Sequence, residues 1–420
     1  MKLSLRSHII LFAIGSLVIF NGCKTRQNVT NENFVNLYSE EDEKLASDIS
    51  IQHIDAMQTR ISLNINSGEL LFVRESSAAP FYADIKISIV AFDYESGREV
   101  IDTASSVFKV AKDSISSDFL AYSVNLNINT GLHSFIRIDV EDLNKSRRET
   151  HTAVIDKRSE YASQWFGLME QNDPHFTYYS YSPGDTVVLS YAGKDKDNLK
   201  VYFYKDSFEI PDPPFSFENL MPFKLDADSA FKPLSIDSKR LTFIVQEQGL
   251  YFISSHPDEK FGYTVLCTEE HYPLITKASD MVAPTRYICS KKEFNKMLEN
   301  PNKKQAIDNF WLSIGDFEKR AGTLIKKYYS RVIQANRMFS SHTEGWKSDR
   351  GMIYIVFGLP NIVYRDTKNE TWIYGEDKNF FSITFTFTRV ENKFSDNDFF
   401  LIRTPIYKDN WYRAVDLWRQ

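Results

Sequence analysis

Phe381-Ser382-Ile383-Thr384-Phe385-Thr386-Phe387-Thr388 places Phe and Ile on one side of an extended chain and Ser or Thr on the other. Side chains alternate across a strand with period two, so this stretch reads as a half-buried antiparallel strand. A one-residue slip would turn every aromatic toward water, which specifies the register. Thr371-Trp372-Ile373-Tyr374 before it and Phe399 to Ile402 after it supply neighbouring strands, and Ser395-Asp396-Asn397-Asp398 supplies a turn. The fold at this end of the chain is therefore decided by an antiparallel sheet with one apolar face.

A sheet of this kind needs a cover. Phe317, Ala321, Leu324, Ile325, Tyr328, Val332, Ala335 and Phe339 step by three or four and form one apolar stripe, with Asp316 as its N-cap. Lys291 to Asn300 and Lys303 to Ile314 read as shorter helices ahead of it, and Tyr407 to Trp418 as a last one. Between long helix and sheet lies Gly345-Trp346-Lys347-Ser348-Asp349-Arg350-Gly351, followed by Met352-Ile353-Tyr354-Ile355-Val356-Phe357-Gly358-Leu359-Pro360. The apolar run reads as an opening strand that stops at a Gly-x-Pro turn. Two roles compete for the heptad. As a corner, Trp346 packs under the long helix, Ser348 caps, Asp349 accepts backbone N–H groups and Arg350 reaches a carbonyl or an acid. As a recognition surface, Arg350 offers a planar fork to a carboxylate beside an indole. The candidate interaction or structural motif comprises Gly345, Trp346, Ser348, Asp349, Arg350, Gly351, Tyr354, Gly358 and Pro360.

These residues resemble the GWxTD domain. The resemblance is carried by Phe310-Trp311, Tyr329-x-Arg331, Ala335-Asn336-Arg337-x-Phe339, the heptad itself, Tyr354-Ile355-x-x-Gly358-x-Pro360 and Trp372-x-Tyr374. Serine stands at position 348 where the family name has Thr, which keeps the hydroxyl. The resemblance covers about residues 285–420. It implies a secreted or lipidated Bacteroidota-type protein with β-sandwich domains ahead of the GWxTD domain, and it implies no enzymatic activity.

The remaining text agrees with that layout. From 51 to 157, short alternating runs (Ile61 to Ile65, Glu69 to Val73, Tyr82 to Asp93, Ser106 to Val110, Leu120 to Leu126, His133 to Val140) are separated by turn residues, the pattern of a β-sandwich of Ig-like type. A helical connector is expected over 158–172. A second β-sandwich is expected over 173–282, from His175 to Tyr179 through Thr186 to Tyr191, Leu199 to Tyr204, Leu241 to Gln246 and Leu250 to Ser254. The α+β domain takes 283–420. Overall the chain reads as multidomain and mainly β.

At the N-terminus, Lys2 and Arg6 precede the apolar run Ile9 to Phe20, too short to span a bilayer. Gly22-Cys23 then resembles a lipobox. Residues 1–22 are the expected lipoprotein signal peptide, Cys23 the lipidation site, and 23–50 a lipidated polar tether. No acid follows Cys23 before Glu32, which favours a periplasm-facing outer-membrane protein. Cys267 and Cys289 could pair as a disulfide or lie apart as two buried thiols.

Net charge of −6 argues against a nucleic-acid binder, which needs a basic face. No nucleophile elbow, phosphate loop or metal-ligand spacing occurs. Catalytic residues, metal and cofactor are therefore none. His342, near Glu344, reads as a lone surface histidine, and Asp396 and Asp398 as turn residues. The expected function is a non-catalytic interaction or scaffold component of a cell-envelope complex, held to the membrane by lipid and partnered by envelope proteins. The alternatives are an envelope glycan- or peptide-processing enzyme using Asp349, Arg350 and His342, and a carbohydrate-binding lipoprotein built on the Tyr-rich second sandwich.

Overall fold

A computed structural model describes residues 33–38, 44–168, 180–205, 209–217, 226–315 and 318–420. The signal, Cys23, the strand expected at His175 to Tyr179 and the N-cap expected at Asp316 lie outside the described residues. Among those described, the chain is mainly β with a helical C-terminal region.

The first module contains β1 (Ala46–His53), β2 (Gln58–Asn66), β3 (Tyr82–Asp93), β4 (Val100–Ala111), β5 (Phe119–Asn127), β6 (His133–Asp142) and β7 (Arg147–Asp156). Two antiparallel sheets, ordered β1-β2-β5 and β4-β3-β6-β7, face each other. Ile61, Leu63 and Ile65 of one meet Ile85, Ile87, Ile89, Ile136 and Ile138 of the other, and all are buried. The strict alternation in Ala83 to Ile89 is thus a sandwich core face, as expected. Glu69 to Val73 is not a strand: a 3-10 turn (Ser67–Glu69) bends the chain, and only Val73 bridges to Tyr82. That stretch packs few neighbours at strand spacing, so its β-formers had no ladder to join. β1 starts at Ala46, ahead of the expected boundary at 51.

The expected helical connector is instead a single 3-10 turn (Ser163–Trp165) that runs directly into β8 (Phe166–Leu168). Trp165 is drawn into the core between the two sandwiches, with its ring 4.8 Å from His53, and that packing overrides the weak helical spacing. The second module adds β9 (Ser180–Tyr181), β10 (Thr186–Tyr191), β11 (Lys200–Lys205), β12 (Ser229–Phe231), β13 (Leu234–Ser235), β14 (Arg240–Ile244), β15 (Gly249–Ser254) and β16 (Tyr263–Cys267). Its sheets run β13-β14-β10-β8 and β12-β11-β15-β16-β9. Every residue of β15 is buried, because its second face is also covered. There Tyr202, Tyr204, Leu250 and Phe252 pack on Phe394 of the C-terminal module.

That module begins with α1 (Ala278–Val282), α2 (Lys291–Glu299), α3 (Lys303–Gly315) and α4 (Glu318–Phe339). Ser290 and Glu293 form a complete capping box at the start of α2. The apolar stripe of α4 holds among the described residues: Ala321, Tyr328, Val332, Ala335 and Phe339 are buried and Leu324 and Ile325 partly so, while Phe317 lies outside them. The next element is a correction. Met352 to Phe357 is not a strand but most of helix α5 (Asp349–Phe357). From Gly351 to Val356 every residue is buried, so the run carries no polar period to separate helix from strand, and its Ile and Val content misleads. Gly358 ends it at φ 89°, with Pro360 beyond. Then β17 (Ile362–Arg365), β18 (Asn369–Tyr374), β19 (Ile383–Arg389) and β20 (Phe399–Leu401) pair antiparallel in sequence order. Phe385 and Phe387 point inward as the alternation requires, but β19 begins only at Ile383, and Phe381, expected on the same buried face, is exposed in the turn before it. Helix α6 (Tyr407–Arg419) closes the edge, and its Trp418 donates to the Val356 carbonyl at 3.0 Å.

The expected tether needs the largest revision. Residues 33–38 do not hang free of the folded body. They lie along β17, with Phe34 and Tyr38 buried in the C-terminal core. Apolar and aromatic side chains four apart had a surface to bury against that the local polar text did not reveal. No described helix is long and apolar enough to cross a membrane.

Candidate functional site

The corner between α4 and α5 is set by close backbone approach. Gly345 opens a 3-10 turn (Gly345–Lys347) so near α4 that a Cβ there would lie 2.0 Å from the Ala335 carbonyl oxygen. Asn336 of α4 reaches both ways. Its Oδ1 accepts the Trp346 N–H at 3.0 Å, and its Nδ2 donates to the Pro273 carbonyl at 3.1 Å. Tyr287 donates to the Trp346 carbonyl at 2.7 Å and meets the indole edge-on. The indole is only 4% exposed.

Ser348 caps α5. Its Oγ accepts the Gly351 N–H at 3.0 Å and donates to the Gly345 carbonyl at 2.7 Å. Asp349 faces away from the turn toward β20. It accepts the Leu401 N–H at 2.7 Å, and Arg403 forks across both carboxylate oxygens at 3.0 and 2.6 Å. One acid at the start of α5 thus satisfies a strand N–H, a guanidinium and the positive end of the helix dipole.

Arg350 is 1% exposed and Glu370, its acid, is 0% exposed. The guanidinium sits over Phe399, 4.1 Å from the ring centroid, and donates to the Asn397 carbonyl at 2.9 Å. Its other Nη lies 3.5 Å from Glu370. Arg365 holds the same carboxylate at 2.8 Å, Trp372 donates to it at 2.6 Å, and Tyr38 donates its hydroxyl to it as well. Burial pushes the Glu370 carboxyl upward, but Arg365, Arg350, Tyr38 and Trp372 outweigh it, so it rests below its ordinary value. Burial, then Glu370, drives the Tyr38 hydroxyl the other way, and it stays a protonated donor.

With this geometry in place, the family match can be stated. Residues 249–420 match the family model of the GWxTD domain. This chain carries a GWxTD domain. No curated protein matches the chain in sequence. The match begins at the first residue of β15, well ahead of residue 283. It therefore takes in two strands that are built into the sheet of the second sandwich. In the GWxTD domain seen here the named residues are structural in detail: a glycine for close approach, a Trp beneath the long helix, a hydroxyl cap and an acid that ties helix to sheet. Serine at 348 performs the cap with the hydroxyl alone. Of the two roles the sequence left open, these contacts are those of the corner.

The wider motif follows the same logic. Tyr354 is buried against Phe339, with ring centroids 5.7 Å apart. Arg331 of α4 donates to the Ile355 and Val356 carbonyls at 3.0 and 3.2 Å, satisfying the end of α5. Gly358 leaves room for that guanidinium: a Cβ there would lie 2.4 Å from it. Tyr374 donates to the Gly358 carbonyl at 2.7 Å, and Pro360 is buried after the turn.

Asp349, Arg350 and His342 do not converge. His342 is not a lone surface histidine. Its Nδ1 accepts from Asn392 Nδ2 at 2.8 Å and lies 3.6 Å from Asp398, while Glu344 pairs with Lys347 at 2.7 Å. Cavities of about 430 and about 610 Å³ lie elsewhere, the first between the three modules, and no residue from Gly345 to Gly351 lines either. Cys267 and Cys289 are separate free thiols. One sits in the second sandwich core and the other in the C-terminal core, so no bridge joins them, and burial raises them to about 12 and about 11. Among the described residues no group of three or more His, Cys, Asp or Glu gathers as metal ligands.

Sequence reasoning missed Glu370, Arg365, Asn397 and Tyr38 as partners of the motif. Glu370 was findable. It shares the inward face of β18 with Trp372, and a buried strand acid demands a cation. Trp346→Ala is expected to lower the stability of the GWxTD domain by about 3–5 kcal/mol, measured by denaturant unfolding followed through tryptophan fluorescence. An unchanged midpoint would show that the indole is not the underside of α4.

Proposed function

We propose that this protein is a non-catalytic, lipid-anchored component of the cell envelope that acts by holding partner proteins. In this reading residues 1–22 are a signal peptide, Cys23 carries the lipid, and the protein faces the periplasm from the outer membrane of a Bacteroidota-type cell. The single observation that carries the scaffold part is the consumption of the motif. The Trp346 carbonyl, the Ser348 hydroxyl, the Asp349 carboxylate and both Arg350 Nη groups are bonded within the fold, so the heptad's hydroxyl, acid and arginine are already engaged. Large rigid surfaces without such a site suit a binding and spacing role.

The N-terminal contact sets where such an anchor would hold the body. Asn33, the first described residue, lies only ten positions after Cys23. A chain of that length reaches at most about 35 Å when fully extended. An acylated Cys23 would therefore hold the GWxTD domain, last in sequence, as the part nearest the bilayer. Cys23→Ser is expected to move the protein from the membrane pellet to the soluble fraction after cell fractionation, with fluorescence and melting unchanged. A variant still pelleted with membranes would remove the lipid from this reading. Crosslinking in whole cells, followed by mass spectrometry, is expected to capture envelope proteins reproducibly; capture of none would remove the scaffold role.

A further inference from the structure

The segment Asn33–Tyr38 is held the way a bound peptide is held. Asn33 clamps the edge of β17 with its side chain: Oδ1 accepts the Val363 N–H at 2.8 Å and the Val35 N–H at 3.0 Å, and Nδ2 donates to the Asn361 carbonyl at 3.1 Å. The Phe34 N–H donates to the Val363 carbonyl at 2.8 Å, which extends the sheet by one rung. A 3-10 turn (Val35–Tyr38) then carries the chain inward, so that Phe34 and Tyr38 both reach the core. The Tyr38 ring sits between Phe339 and Trp372, at 5.2 Å from each. Its hydroxyl donates to Glu370 and lies 3.5 Å from Arg350.

We propose that the GWxTD domain is a receptor for a short peptide of the form Asn-Phe-x-x-x-Tyr, and that this chain fills its own receptor. The β17 edge supplies backbone affinity, and two aromatic sockets set the spacing. The Arg350–Glu370 pair reads the hydroxyl, which discriminates Tyr from Phe because the buried carboxylate needs that donor. The motif arginine is then a recognition residue approached from inside the domain. The assignment stands whether or not Cys23 carries a lipid.

A full-length chain with Asn33→Gly, Phe34→Ala and Tyr38→Ala empties the site. A synthetic peptide of residues 31–40 is expected to bind this variant saturably by calorimetry and to raise its melting midpoint, while leaving the wild-type chain, already filled, unaffected. The same peptide with Tyr38→Phe is expected to bind about tenfold more weakly or worse. Equal binding of both peptides, or none by either, overturns the proposal. Should the triple variant not fold, hydrogen exchange on the wild-type chain decides. The Phe34 amide is expected to exchange as slowly as those of the β17–β18 ladder, and exchange at the rate of an open loop overturns the proposal.

Discussion

Arg350→Ala is expected to destabilise the GWxTD domain by about 3–5 kcal/mol, the range for removing one partner of a buried ion pair. The loss has three parts. Glu370 keeps Arg365 but loses its second cation in a site without water access. The Asn397 carbonyl loses a charged donor. The Phe339 and Phe399 rings lose the guanidinium packed over them at 5.1 and 4.1 Å. Arg350→Lys should recover only part, because an ammonium cannot lie flat on Phe399 and fork toward Asn397 and Glu370 together. The sign with pH follows from Glu370, whose carboxyl is held below its ordinary value. Its contribution is present above the unfolded carboxylate range and is lost as pH falls through the folded value. The wild-type advantage over the variant should therefore shrink on acidification. Equilibrium unfolding of both proteins at neutral and acid pH checks this. A difference under about 1 kcal/mol at neutral pH would mean that the network is not what joins α5 to the sheet.

Gly345→Ala is expected to be harsher still. The added carbon would meet Ala335 backbone atoms at 2.0 and 2.7 Å, and hydrogen-bonded backbone of α4 cannot swing aside as a side chain would. Ordinary overpacking costs about 1–3 kcal/mol, and this site should exceed it, giving little soluble protein or a loss above about 3 kcal/mol. Gly322→Ala on the same helix is the control. Nothing lies within 4 Å of the carbon it would add, so it should stabilise by about 0.5–1 kcal/mol through helix propensity. Expression yield and unfolding midpoints of the pair separate close packing from any general sensitivity of α4. A Gly345→Ala protein that melts with the wild type would show that α4 and the heptad do not touch as described.

What could be read beforehand was whatever repeats along the chain. Phe385-Thr386-Phe387-Thr388 announced its strand because one face is wet and the other dry. The stripe from Ala321 to Phe339 announced its helix for the same reason. Met352 to Phe357 has no wet face, so the cue vanished, and the helix could be inferred only from its start, where Ser348 caps and Asp349 sits in the first turn. The chemistry of the corner was legible residue by residue: a cap, a backbone acceptor, an indole beneath a helix and an arginine seeking an acid. Glu370 could be suspected as a buried strand acid in need of a cation, but its pairing with Arg350 could not be read, since it lies twenty residues on and is brought back by the sheet. Tyr38 was out of reach altogether. Nothing near it in the text has a period, and the groove it enters is assembled from residues more than three hundred positions away.

The contact between Tyr38 and Glu370 spans 332 residues, and this orders events in time. Synthesis delivers the aromatic segment early and its groove last, so the two sandwiches can form while Phe34 and Tyr38 still wait in water. Contacts that close such long loops form slowly, and the interval leaves two aromatics open to wrong partners. The C-terminal core is finished only when the beginning of the chain returns to it. A fragment cut at residue 249 to match the family boundary would never reach that step. It would keep the heptad, lose the tyrosine that completes its ion network, and tear two strands from a sheet that stays behind.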